Sequence, residues 1–81
     1  MTWKHFIEIA ESFNSDITCQ LGYGKPEIAL AVYDAAAHLC ACFKKSNSNF
    51  DAARFRQALV VNITGGNKHD DWFLQQIELG K

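Results

Sequence analysis

An all-α fold is expected: a small bundle of three to four helices around a central helix over residues 26 to 45. Apolar residues return every three to four positions from Trp3 to Phe13 and again from Ile28 to Phe43, which is the period of a helix with one buried side. Pro26 opens the second run and Lys44-Lys45 close it, placing a start signal and two dipole-complementing cations at the correct ends. Phe50 and Phe55 flank Asp51 at the spacing of a hydrophobic staple around an N-cap, so a further helix begins there. With 81 residues, 48% of them apolar, the chain is sized for one domain spanning 1 to 81 and is too apolar for a disordered tail.

The first helix begins at Thr2 as N-cap and buries Trp3, Phe6, Ile7, Ala10 and Phe13, with Glu8 and Glu11 on its other side. Asn14-Ser15-Asp16 is read as its end, because these side chains bond their own backbone and favour turns. Asp16 to Lys25 is then a connection, with glycines at 22 and 24. In the central helix, Ile28, Ala31, Val32, Ala35, Leu39, Cys42 and Phe43 form one stripe, and Ala29, Tyr33, Ala36 and Cys40 extend it round a second side. Glu27, Asp34, His38 and Lys45 leave only a narrow polar strip, so the helix is read as packed from two directions. In the third helix Ala58, Leu59 and Ile63 continue the buried side, although β-branched residues 60 to 64 are equally compatible with an extended strand. Gly65-Gly66-Asn67 stops it. A last helix, capped by Asp70, carries Trp72, Phe73, Gln76 and Ile77.

The segment Asn47-Ser48-Asn49-Phe50-Asp51-Ala52-Ala53-Arg54-Phe55-Arg56-Gln57-Ala58 resembles the closing motif of a group of short, uncharacterised bacteriophage proteins, N-P-x-F-D-x-x-R-F-x-x-A, and His5-Phe6 resembles their opening helix. Ser48 stands where proline is usual, and residues 60 to 81 continue past the usual end. The resemblance implies phage or prophage origin and a helical fold. It implies no activity.

The sequence shows no arrangement suited to catalysis, a metal or a cofactor. Asp34, His38 and Cys42 stand at i, i+4 and i+8, but three residues along one rigid helix point outward in parallel instead of converging. Cys40 lies about 200° around the helix from His38, so the two cannot share an ion. Gly22-Tyr23-Gly24-Lys25 and Gly65-Gly66-Asn67-Lys68 lack the spacing of a phosphate-binding loop. Asp70-Asp71 suits capping better than acid–base work. The three cysteines, odd in number, fit reduced thiols in a cytosol, and the opening residues do not read as a secretory signal. Glu27, Asp34, Lys44 and Lys45 are taken to interrupt any membrane-spanning window.

Net charge is −1, unevenly spread. Residues 1 to 34 carry −3 and residues 44 to 68 carry +4, the latter from Lys44, Lys45, Arg54, Arg56 and Lys68 against Asp51 alone. If the second and third helices form a corner, Lys44, Lys45, Arg54 and Arg56 share an edge able to meet phosphates or an acidic protein surface. Leu30, on the outer side of the central helix, and the aromatics Tyr23 and Trp72 add apolar area for a partner. Together these features lead to the expectation of a cytoplasmic, non-enzymatic phage-type protein that binds a host or viral protein and inhibits a bacterial defence system, in the manner of an anti-CRISPR protein. Self-association through the central helix would make it a dimer. The alternative is a small nucleic-acid-associated regulator using the 44 to 56 basic edge.

Overall fold

The computed structural model describes residues 3 to 79 and is all-α, with four helices: α1 Trp3–Gly22, α2 Pro26–Ser46, α3 Ala52–Leu59 and α4 Lys68–Leu79. The Thr2 cap lies outside the described residues. Helix α1 packs along α2 and across α3, and α2 also carries α3 and α4. Residues 60 to 64 are turn and irregular backbone, neither helix nor strand.

The first correction concerns where α1 ends. Asn14, Ser15 and Asp16 do not stop it, and it runs to Gly22. Ile17 and Leu21 continue the stripe of Phe6, Ala10 and Phe13, and both are buried. Asn14 satisfies its side chain across the fold instead of on its own backbone, and the Thr18 hydroxyl donates to the Ser15 carbonyl at 3.0 Å within the helix. The turn that follows needs glycine at one place: Gly24 has φ +74°. Pro26 then occupies the first turn of α2, with Lys25 as N-cap.

A second correction concerns which side of α2 is covered. Ala29, Ala36 and Cys40 are buried, with Val32, Tyr33 and Phe43 half-buried against the core. Ile28, Ala31, Ala35, Leu39 and Cys42, expected on the inner stripe, are exposed. Leu30, expected on the outer side, packs against the core. Periodicity finds both apolar sides but does not rank them. Ala10 of α1 and Ala29 and Ala36 of α2 are fully enclosed while Ala31 and Ala35 on the other side of α2 are exposed, so residue size does not rank the sides and packing against the other helices does.

Aromatic rings fill the wider end of the bundle. Phe6 lies 4.7 Å from Phe50 and 4.8 Å from Phe43, centroid to centroid, and Phe50 lies 5.6 Å from Phe55. The last distance is the expected staple closing over Asp51, whose carboxylate accepts the Arg54 N–H at 3.0 Å. Phe73 brings α4 onto α2 by an edge contact with Tyr33, 5.9 Å between centroids. Helix α4 begins two residues before the expected Asp70 cap. Asn67 takes that role, its Oδ1 accepting the Asp70 N–H at 2.9 Å, while Asp71 reaches back to the Gly66 N–H at 3.1 Å.

Candidate interaction surface

The outer side of α2 is an uncovered apolar surface. Only 17% of the helix's most apolar stretch is buried. At 100° per residue, Ile28, Ala31, Ala35, Leu39 and Cys42 fall within about 80° of one another and line up along nearly the whole helix. Ile28 is 46% exposed and Leu39 37%, so each keeps part of its apolar surface open to solvent. Glu27, Asp34, His38 and Lys45 run beside this strip on one flank, all exposed, acids toward the N-terminal end and bases toward the C-terminal end. The opposite flank is apolar, formed by half-buried Val32. By length and composition alone α2 is also long and apolar enough to cross a membrane, so Glu27 and Asp34 do not interrupt the window as expected.

The four cations of the expected basic edge have different surroundings. The Lys44 ammonium turns back onto the α2–α3 loop, donating to the carbonyls of Ser48 at 2.8 Å and Phe50 at 3.1 Å. There it satisfies two loop carbonyls that lie outside both helices. Lys45 lies on the charged flank of α2. Arg54 stacks over Trp3, its guanidinium carbon 5.0 Å from the ring centroid, a cation–π contact joining α3 to α1. Arg56, two residues on and so about 200° around α3, projects from the other side. It lines a half-open groove of about 430 Å³ with Tyr33, Val60, Leu74, Ile77 and Glu78. Tyr23 is 73% exposed at the α1–α2 turn. Trp72, half-buried, borders a small cleft of about 240 Å³ with Gly24, Pro26 and His69.

Chemistry within this arrangement is sparse. Burial raises the Cys40 thiol above its ordinary range, with Arg56 opposing the shift by its charge and a hydrogen bond. Burial likewise raises the Tyr33 phenol, with Arg56 opposing and Asp34 and Cys40 reinforcing. Both groups are thereby held neutral. Neither is an activated nucleophile. His38 engages its Nδ1 with the Asp34 main-chain carbonyl at 2.9 Å, so the Asp34, His38, Cys42 line makes no carboxylate–imidazole contact there. Among the described residues no three His, Cys, Asp or Glu side chains gather as metal ligands would. The glycines near 65 shape the entry to α4, where the Gly66 N–H is already taken by Asp71.

The outer strip of α2 was missed as an exposed surface by reading periodicity alone. No residue-size signal separates the two sides, since Ala31, Ala35 and Cys42 on the exposed strip match Ala29, Ala36 and Cys40 on the packed side. No known protein family, curated protein or solved structure matches the chain.

Proposed function

We propose that this chain is a non-enzymatic binding protein that acts by covering a surface of another protein. Following the resemblance carried by residues 47 to 58, the proposal places it among phage-type proteins, in the cytoplasm of a bacterial host, with a host or viral protein as its target. Inhibition of a bacterial defence system is the activity that would follow. One observation carries the reading: the exposed apolar strip Ile28, Ala31, Ala35, Leu39 and Cys42, an uncovered patch of the kind that marks interaction sites in small proteins. Support also comes from the thiol and phenol held neutral beside Arg56, which offer no activated group for covalent work.

Affinity capture from bacterial lysate tests it. The native chain is expected to retain a specific protein that Ile28→Glu with Leu39→Glu releases. Capture unaffected by that pair of changes defeats the reading. Binding that instead follows DNA or RNA, weakens steeply with salt and vanishes on reversing Arg54 and Arg56 would favour the nucleic-acid alternative.

A further inference from the structure

We infer that the outer face of α2 is an isologous interface, covered by the α2 of a second copy running antiparallel to it. The inference rests on the reading of that face as protein-binding and names its occupant in the free protein, a second copy that a target would have to displace. The argument is in the arrangement of charge. Along the flank of the strip the order is Glu27, Asp34, His38, Lys45, acidic in the first half and basic in the second, all exposed. When two helices pair about a two-fold axis normal to their common plane, like flank meets like flank in reversed order. Glu27 then faces Lys45 of the second copy, and Asp34 faces His38.

Both pairs are centred on the same position, Ala36, one residue from Ala35 at the middle of the apolar strip. A single register therefore brings Glu27 to Lys45, sets Asp34 against His38 and overlays the two strips. The other flank agrees. Val32 of one copy comes level with Leu39 of the other to within a residue, apolar against apolar. A parallel pair would instead set the charged flank of one helix against Val32 and Leu39 of the other, desolvating charge without a partner. Ala31 and Ala35 at the centre let the two backbones approach closely.

A helix of 21 residues is about 31 Å long, and one helix pair lies at the small end of stable interfaces, so a dissociation constant on the order of micromolar to 100 µM is expected. Sedimentation equilibrium on the full chain up to about millimolar concentration tests this, with the mass expected to rise from 9.1 kDa toward twice that value. Ala35→Arg sits on an exposed position and is expected to keep native helicity while remaining at the single-chain mass. By symmetry each single reversal, Glu27→Lys or Lys45→Glu, disturbs two pairs and is expected to weaken self-association about threefold to tenfold. The double reversal restores it.

A native chain that stays at 9.1 kDa throughout overturns the inference, as does a double reversal no tighter than the singles. Flotation of the protein with phosphatidylcholine vesicles, lost in Ala35→Arg, would assign the face to lipid and also overturn it. If the native chain is monomeric yet captures another protein through Ile28 and Leu39, the dimer falls and the protein-binding reading stands. If it is monomeric and captures nothing, both fall.

Discussion

The side-chain amide of Asn14, in the middle of α1, donates to the main-chain carbonyl of Leu59 at the end of α3, 2.8 Å away. The same nitrogen donates to Asn62 Oδ1, also at 2.8 Å. One side chain thus ties a helix interior to a helix terminus 45 residues later, where a carbonyl has no partner within its own helix. Asn14→Ala is expected to destabilise the fold by about 1–2 kcal/mol. Asn14→Asp should do more harm, because a carboxylate then faces the carbonyl oxygen with no donor between them. Urea unfolding of the three proteins orders these effects, and an Asp variant as stable as the native chain would contradict the contact.

The Phe50–Phe55 staple and the Asp51 cap fix where α3 begins. Asp51→Ala removes the acceptor for the Arg54 N–H and should lower stability by about 1 kcal/mol. Phe55 is fully buried against Phe43 and Phe50, so Phe55→Ala should cost about 3–5 kcal/mol. In a chain of this size that loss approaches the whole margin. The expected outcome is a thermal transition that is broad or absent.

Gly65 is constrained twice. Its φ is +87°, and a Cβ built there would lie 2.7 Å from Asp71 Oδ1. Gly65→Ala should therefore destabilise by more than about 1 kcal/mol. Gly66, at φ +98°, has nothing within 4 Å of such a Cβ, so Gly66→Ala carries only the backbone strain and should be the milder change. Equal melting points for the two variants would refute the crowding at Asp71.

Cys40 provides a pH signature. Burial raises its thiol in the folded chain, so folding favours the protonated form. That contribution is fully present below the unfolded thiol value of about 8.5 and is lost as pH rises through the raised folded value. Stability should therefore be flat near neutrality and fall in alkali, with a shallower fall in Cys40→Ala. Under native conditions a thiol reagent should modify exposed Cys19 and Cys42 quickly and Cys40 only after unfolding. Rapid labelling of all three would contradict the packing.

The two sides of α2 should respond differently to charge. Ile28→Glu and Leu39→Glu alter partly exposed positions and should each lower single-chain stability by about 1 kcal/mol without abolishing folding. Ala29→Glu and Ala36→Glu place a carboxylate in a fully enclosed site and should abolish cooperative unfolding. Circular dichroism during thermal melts separates the two groups.

Elements marked by local chemistry were legible before any coordinates. Pro26 with Lys44-Lys45 bounds α2 to within a residue, and Phe50, Asp51 and Phe55 place the start of α3, because caps and staples depend on residues a few positions apart. Asn14-Ser15-Asp16 misled for the same reason in reverse. Their turn preference is local, whereas the contacts that keep α1 helical there come from Leu59, Asn62 and the buried Ile17 and Leu21. Of the expected basic edge, Lys44 and Arg54 have partners in the Phe50 carbonyl and the Trp3 ring, contacts that depend on the tertiary fold.

The residue pattern alone was enough to set the helical class, the extent of the central helix and the staple that starts α3, since each depends on periodicity or on neighbours within one turn. Which apolar side of α2 faces inward was decided only by tertiary packing. Both sides satisfy a helical period, and the choice depends on how closely α1, α3 and α4 can approach Ala29, Ala36 and Cys40. That choice leaves Ile28, Ala35 and Leu39 facing solvent and so sets where a partner can bind.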